Sequence, residues 1–178
     1  MANSTQRRVD AQAIFQSALA GAAPGDCVRN ALSIEADHLR IGSTRYALDT
    51  ISRLLVLGAG KATPAMAAAV EDILDGHISG GLINTKYEHG LALRHIETVE
   101  CGHPIPDNNG VEGTRRQLEL VRNLDERALV ICLFSGGGSA LLPAPADGIS
   151  LAEKQQTTRL LLACGATIDE VNTILKHL

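Results

Sequence analysis

One unit recurs in the pattern of apolar and polar positions: a short apolar run that ends in glycine and leads into a helical pattern. Residues 54–57 are apolar and lead into the first glycine loop (residues 58–61), after which apolar residues recur at helical spacing. Residues 129–134 are apolar and lead into the triple-glycine loop (residues 135–139). Such runs are typical of strands buried on both faces of a parallel sheet.

The same pattern predicts the remaining elements. Strands are predicted over residues 80–85 and 96–101, and weaker signals for short strands lie at 33–36 and 38–41. Helices are predicted at residues 9–20, as a packing helix, and at 24–32 and 62–73. Another is predicted to begin after Asp107 or Asn109, with Leu118, Val121 and Leu124 facing the sheet. Two more are predicted to follow the capping-box pairs Ser150/Glu153 and Thr167/Glu170.

Alternating strands and helices predict an α/β fold with a doubly wound, mostly parallel sheet and helices on both faces, a Rossmann-like three-layer architecture. A chain of 178 residues predicts one domain, residues 1–178. Sheets of this kind bind ligands at the carboxyl ends of their strands. The first glycine loop, the His103 loop (residues 102–107) and the triple-glycine loop all follow predicted strands, so we expect them to lie at one edge.

Composition narrows the functional classes. A formal net charge of −4 and two Phe, two Tyr and no Trp disfavour binding to nucleic acid or a membrane surface. No apolar stretch reaches the roughly 18 residues that a membrane span needs, and the amino terminus lacks a secretory signal. The cysteines are scattered without a C-x-x-C pair, which favours reduced thiols and a cytoplasmic location. The sequence contains no clustered set of Cys and His residues, so no metal site is predicted.

The triple-glycine loop carries the strongest chemical signal. It comprises Ser135, Gly136, Gly137, Gly138 and Ser139. Three glycines let backbone amides approach a ligand closely, and a helical turn starting near Ser139 would add its positive dipole end. These features predict a site for phosphate or carboxylate, with a tight structural turn as the alternative. A hydrolase elbow would need glycine at Leu141, so Ser139 is not expected to be a nucleophile.

The first glycine loop resembles two nucleotide fingerprints and satisfies neither. A P-loop would need glycine at Leu55, and a dinucleotide loop would need glycine or alanine at Thr63. Lys61 is therefore considered by itself, as a cation at a strand end that could neutralise a transferring phosphoryl group. Gly58 and Gly60 beside it are candidate phosphate-binding residues. The alternative for Lys61 is a solvated lysine near a helix start.

Four further residues are candidates. His103 is predicted to act as a general base or substrate ligand, or to bond only to backbone. Asp107 is predicted to cap a helix or to act as an indirect ligand to a metal. Asn172 and Lys176 stand four residues apart on one helix face and could point into a cleft, or form a solvated pair.

These motifs, in order, resemble the amino-terminal domain of the MOFRL-type glycerate 2-kinases, a family whose members also carry the name hydroxypyruvate reductase. The resemblance covers roughly residues 53–178. It rests on GKATPAM from Gly60, HPIPD from His103, FSGGGSALL from Phe134, LLLACGATIDEVN from Leu160, and the final Lys-His-Leu.

The resemblance implies ATP-dependent, magnesium-dependent phosphorylation of glycerate at its 2-hydroxyl, in a cleft between this domain and a carboxyl-terminal domain that this chain lacks. It implies catalytic roles for Lys61, His103 and Lys176. It implies substrate or phosphate binding by the triple-glycine loop, Asp107 and Asn172. Two features depart from the family pattern. The sequence stops at Leu178 where the pattern continues, and Ile174-Leu175 replace Val-Arg, which removes one charge expected at the site.

Three functions therefore stay open. The first is a glycerate 2-kinase, for which half a cleft should be nearly inactive. The second is an NAD(P)H-dependent hydroxypyruvate reductase using the first glycine loop. The third is a non-catalytic small-anion binding module. The expected partners are glycerate, a nucleotide, the missing domain and, as an open alternative, a second copy in a homodimer.

Overall fold

The computed structural model describes residues 4–178, which form seven α-helices, two short 3-10 helices (Leu48–Thr50 and Asp75–His77) and two sheets. The first three residues lie outside the described part. In chain order the elements are α1 (Ser4–Gly21), α2 (Pro24–Ala31), β1 (Leu32–Glu35), β2 (His38–Ile41), β3 (Thr44–Ala47), β4 (Arg53–Ala59), α3 (Thr63–Leu74), β5 (Gly80–Lys86), β6 (Glu97–Cys101), α4 (Asn108–Val121), β7 (Ala128–Phe134), α5 (Gly138–Leu141), α6 (Leu151–Ala163) and α7 (Ile168–Leu175).

The central sheet confirms the predicted fold class. Its four strands are parallel and lie in the order β6-β5-β4-β7, with helices packed around them. The chain runs from β4 outward to β6 and then returns to place β7 on the other side of β4. The strand order therefore reverses between β4 and β7, which is where doubly wound sheets form a ligand crevice.

Aliphatic side chains of β4, β5 and α3 form the main core, in which Val56, Val70, Leu74 and Ile83 are almost fully buried. β4 has this apolar run because it lies between two other strands and is covered on both faces. A smaller core lies near the carboxyl edge, where Leu141 of α5 packs against Ala59 and Cys101.

The region before β4 forms a separate antiparallel sheet, β1-β2-β3. Two of its strands agree with the weak signals in the sequence. The third, β3, was missed because residues 44–47 are mostly exposed and show no clear alternation. Leu39 of β2 joins this sheet to the main core.

Three predictions about burial were wrong. β7 was predicted to be buried on both faces, but it pairs only with β4 in the described chain, and Phe134 is 58% exposed. The helix predicted at 9–20 extends over α1 and has no buried residue, so it is not a packing helix here. On α4, Leu118 is 55% exposed and does not face the sheet.

The buried face of α4 consists of small and polar residues instead: Gly110, Gly113, Thr114 and Gln117. A Cβ on Gly113 would lie 2.3 Å from Asn84 Oδ1, so only glycine allows this approach of helix to strand. A buried polar network thus replaced the apolar face that periodicity predicted.

Both predicted capping boxes are present. Ser150 and Glu153 cap α6, and Thr167 and Glu170 cap α7. α7 ends at Leu175, before the last residue of the chain. Across residues 4–178, every helix is too short or too polar to cross a membrane.

Candidate active site

Lys61 and His103 come from loops after different strands and meet at one residue of the triple-glycine loop. A Cβ on Gly137 would lie 2.8 Å from His103 Nε2 and 3.3 Å from Lys61 Cε. Gly137 has φ of 91°, in the left-handed region that favours glycine. The absence of a side chain there lets the imidazole and the lysine approach the same loop.

The triple-glycine loop leaves several of its amides open. Gly138 N–H donates to Ser135 O at 3.2 Å, but the amides of Gly136, Gly137 and Ser139 donate to no acceptor within residues 4–178. The Ser139 hydroxyl likewise has no protein partner in the described chain. Successive amides of this kind around a left-handed residue form a concavity that binds anions.

In the first glycine loop, the amides are already occupied. Gly58 N–H donates to Gln117 Oε1 at 3.2 Å, and Gly60 N–H donates to Asn84 O at 3.1 Å. Lys61 N–H donates to Gly136 O at 3.0 Å. These donors are therefore unavailable to a phosphate.

The glycines of that loop serve close packing. A Cβ on Gly58 would lie 2.1 Å from Leu133 O, and one on Gly60 would lie 2.0 Å from Ser135 Oγ. Ser135 Oγ also accepts from Ala62 N–H at 3.0 Å. The structure thus packs Gly58 against β7 and engages Gly60 and Ser135 in contacts between the two loops, whereas the predicted phosphate role requires all three to face a ligand.

His103 has an electropositive and partly buried setting. Burial and the nearby ammonium groups of Lys61 and Lys86 lower the pKa of His103 below its ordinary value of 6.5. The imidazole is therefore neutral near pH 7, and its ring carries a basic nitrogen that can accept a proton.

Asp107 acts as the N-cap of α4, one of the two roles predicted for it. Its Oδ1 accepts from Gly110 N–H at 3.0 Å and its Oδ2 accepts from the Tyr87 hydroxyl at 2.7 Å. Burial raises the pKa of Asp107, but these hydrogen bonds outweigh it and leave the pKa below its usual value. Asp107 lines neither of the cavities described next.

Two cavities flank the triple-glycine loop. The lysine cavity, of about 450 Å³, is lined by Ser135, Gly138, Ser139, Lys154 and Lys176 together with apolar residues. The histidine cavity, of about 310 Å³, is lined by His103, Gly137, Ser139, Val171 and Asn172, among others. Ser139 lines both, so the two cavities lie on either side of one loop.

The structure brings Lys61, His103, Asn172, Lys176 and most of the triple-glycine loop to this edge of the sheet. The two residues missed in the sequence are Lys86, at the end of β5, and Lys154, on α6. Lys154 shares a helix face with Leu151, Thr158 and Leu161, so its register could have revealed a buried lysine.

All four lysines of the chain lie at or beside the carboxyl edge of the central sheet. The chain has four lysines and twelve arginines, and its lysines, Lys61, Lys86, Lys154 and Lys176, all line or adjoin the site. The described residues contain no group of three or more His, Cys, Asp or Glu that could hold a metal ion. The site of residues 4–178 is therefore suited to an anion and lacks a metal cage of its own.

Comparison with known proteins identifies the family. The family model described as domain of unknown function DUF4147 matches residues 10–178, and the chain belongs to this family. The predicted resemblance to the amino-terminal domain of glycerate 2-kinases is confirmed.

Three relatives illustrate the similarity. A glycerate 2-kinase of Pyrococcus horikoshii is 39% identical over 90% of this chain and 36% of its own length. An Agrobacterium vitis protein, provisionally named hydroxypyruvate reductase, is 44% identical over 72% of this chain and 33% of its own length. A crystal structure of a Pyrococcus horikoshii protein superposes with a TM-score of 0.83 at 36% identity, over 100% of this chain and 40% of that one. The chain thus spans about a third of the length of the curated relatives it matches.

Proposed function

We propose that this chain supplies one half of the active-site cleft of an ATP-dependent glycerate 2-kinase. The observation that carries the proposal is the meeting of Lys61 and His103 at Gly137, beside three open amides of the triple-glycine loop. Phosphoryl transfer is catalysed mainly by positioning and by stabilising negative charge, and this edge offers both. The glycerate 2-kinase of Pyrococcus horikoshii, 39% identical, supports the reaction class.

In this proposal the triple-glycine loop holds phosphate oxygens. The amides of Gly136, Gly137 and Ser139 are fixed donors that need not be reorganised when charge develops on the transferred group. Lys61 lies beside Gly137 and adds a full positive charge. Only glycine at position 137 lets the loop lie this close to His103, because a Cβ there would be 2.8 Å from His103 Nε2.

His103 is the proposed base. Its lowered pKa keeps the imidazole neutral near pH 7, so a ring nitrogen can accept the proton of the 2-hydroxyl of glycerate. The hydroxyl oxygen then bonds to the terminal phosphorus of ATP as the bond to ADP breaks. Lys61 and Lys176 stabilise the charge carried by the transferred group, and Asn172 in the histidine cavity helps hold the acid.

Magnesium is proposed to arrive with the nucleotide. Asp107 is the carboxylate among the candidate site residues. Its two oxygens accept hydrogen bonds from the Tyr87 hydroxyl and the Gly110 amide, so they are already engaged within the protein. The described residues hold no cluster of metal ligands, so they do not fit a protein-only magnesium cage. Magnesium commonly binds through substrate phosphates and one or two carboxylates, and in this proposal the remaining carboxylates lie in the carboxyl-terminal domain.

The second domain is also needed for turnover in this proposal. Both cavities are open, and half of a cleft cannot exclude water or fix two substrates in line. We expect the 178-residue chain to bind anions but to phosphorylate glycerate far more slowly than a version extended through that domain.

The test uses the extended version with glycerate and magnesium ATP, followed by phosphorus NMR. The proposal expects 2-phosphoglycerate, and Lys61→Met should lower its rate of formation by about 100-fold or more. Arg53→Met is the matched control, because it removes a cation from the start of β4, the strand that Lys61 follows. Absence of phosphoglycerate, or equal rates for the two variants, would refute the proposal.

A parallel reaction with hydroxypyruvate and NADH tests the reductase. Its support is the name of the Agrobacterium vitis relative, and the occupied amides of the first glycine loop disfavour it. Loss of NADH absorbance without phosphoglycerate would establish it instead. Glycerate binding without either reaction would favour the non-catalytic anion-binding module.

A further inference from the structure

Lys154 is a buried lysine that faces the lysine cavity. The residue is 7% exposed, on the inner face of α6. Its Nζ donates to Leu175 O at 3.3 Å and to Leu178 O at 2.8 Å. Those carbonyls lie at the carboxyl end of α7, whose dipole favours a cation, and they hold the ammonium in place.

The charge of Lys154 has no Asp or Glu partner in the described chain. None of the ion pairs formed within residues 4–178 includes Lys154, and burial lowers the pKa of its ammonium. A buried charge is costly unless it is paired. The carbonyl of Leu175 orients the ammonium without neutralising it, and Leu178 O does the same in a chain that continues past Leu178. The third N–H of the ammonium has no acceptor within residues 4–178.

The surroundings point to an anion in the cavity. Lys176 and Ser139 line the same space of about 450 Å³. The Ser139 amide and hydroxyl have no partner within residues 4–178, so a second cation and free donors adjoin Lys154. Two cations and the free donors of Ser139 thus surround one space, and no Asp or Glu side chain lines it.

We infer that Lys154 is an anion-binding residue of the lysine cavity, where its ammonium pairs with a carboxylate or phosphate oxygen of a ligand. The inference rests on the proposed function for its ligand class, a hydroxy acid or a phosphate compound. Because α7 is anchored to the same ammonium, a bound anion also fixes Lys176 at the cavity.

The experiment follows lysine ammonium groups by nitrogen-15 NMR of the selectively labelled 178-residue chain, which has only four lysines. Single substitutions of each lysine by arginine assign the signals. Glycerate, inorganic phosphate and ATP are then titrated separately, so that the arm producing the shift identifies the anion. We expect the Lys154 signal to shift and its pKa to rise on saturation with one of these anions. No response of Lys154 to any of them would overturn the inference.

Variants test the affinity. Lys154→Met should weaken binding of the effective anion by about 10- to 100-fold, the range for a hydrogen bond to a charged group, and Lys154→Arg should restore part of it. Arg159→Met, which removes an exposed cation from the same helix, should leave binding unchanged. If Lys154→Met fails to fold, the NMR titration of the unmodified chain still decides. Equal affinities for Lys154→Met and Arg159→Met in folded protein would contradict the inference.

A terminal carboxylate on Leu178 could itself pair with Lys154, so the titration is repeated on a chain with two glycines added after Leu178. The inference expects the Lys154 response in that chain as well, and its loss there would overturn the inference. The outcome is separable from the kinase proposal: a Lys154 response without phosphoglycerate from the extended version refutes the kinase alone. Phosphoglycerate with an unresponsive Lys154 refutes this inference alone.

Discussion

The two glycine loops lie side by side at the carboxyl ends of β4 and β7 and use glycine for opposite purposes. In the first glycine loop, a Cβ on Gly58 or Gly60 would lie 2.1 or 2.0 Å from atoms of the neighbouring strand or loop. Its amides are bonded within the protein. In the triple-glycine loop, Gly136 has open space around it, and three amides have no acceptor in the described chain.

The difference shows that glycine near the end of a strand is ambiguous evidence for a phosphate site. Glycine permits close approach, but the approaching group can be another strand as readily as a ligand. Here the first loop supports the second: Lys61 N–H donates to Gly136 O, and the hydroxyl of Ser135 accepts from Ala62 N–H. The packed loop therefore positions the open one.

The difference between the two glycine loops is tested most strongly by substitution of Gly60. Gly60→Ala should lower the free energy of unfolding by about 3 kcal/mol, because φ is 147° and the new Cβ would overlap Ser135. Gly136→Ala should change it by less than about 0.5 kcal/mol. Urea denaturation of both variants measures the difference, and equal losses would show that the two loops do not differ in this way.

Gln117 tests whether the first glycine loop depends on its occupied amides. Gln117 donates to Gly58 O and to Asn84 Oδ1, and its Oε1 accepts from Gly58 N–H, each at 3.2 Å. Gln117→Leu should cost about 2 kcal/mol, since it leaves buried polar atoms unpaired. Leu118→Gln on the exposed side of the helix is the control. A neutral result for Gln117→Leu in denaturation would argue that these bonds contribute little.

Gly137 tests the open loop through binding. Gly137→Ala would force His103 and Lys61 apart, so affinity for inorganic phosphate, measured by calorimetry, should fall about tenfold, or about 1.4 kcal/mol. Gly148→Ala is the matched control, because Gly148 also has positive φ, at 83°, with open space around it. That control should lose stability but keep its affinity. Equal phosphate affinities in the two variants would show that Gly137 is not part of the anion-binding site.

The smallest expected effect is a change in the pKa of His103, which tests whether Lys61 acts electrostatically at the triple-glycine loop. The pKa of His103 should lie below 6.5 in nitrogen NMR of its ring, and Lys61→Met should move it back toward 6.5, because one repelling charge is gone. The folded state binds fewer protons than the unfolded chain in this range, so stability should fall as pH drops from 6.5 toward the folded pKa. Lys61→Met should reduce that loss. An unchanged His103 titration would place Lys61 too far away to matter.

Local signals predicted the fold well. The capping boxes at Ser150 and Thr167 and the apolar run of β4 were read correctly because each depends on residues a few positions apart. The exposure of β7 and the buried face of α4 were not, since both depend on which element lies alongside. Periodicity favoured Leu118 as a core residue, but the Asn84–Gln117 hydrogen bond takes the space beneath the helix.

For the site, the residues at strand ends were named in advance, but their roles were not separable. Lys61, His103 and the triple-glycine loop were expected at one edge because parallel strands end together. Lys154 was missed because it belongs to no loop motif. The carboxylate of Asp107 caps a helix because its oxygens accept hydrogen bonds from Gly110 and Tyr87. Distances between loops decide such roles, and a linear pattern does not contain them.

The sequence by itself determined the alternation of strands and helices, the positions of most caps and the placing of candidate groups after strands, because these follow from side chains and backbone preferences within a few residues. Only the tertiary structure decided which amides are occupied, which glycines pack against a neighbour, and where the buried charge of Lys154 lies. Those properties depend on atoms far apart in the chain: Gly58 and Gln117 are separated by 59 residues, and Lys154 meets its carbonyl partners 21 and 24 residues away. Hydrogen bonds and burial are settled by what occupies the adjacent space, and that is fixed only when the chain has folded.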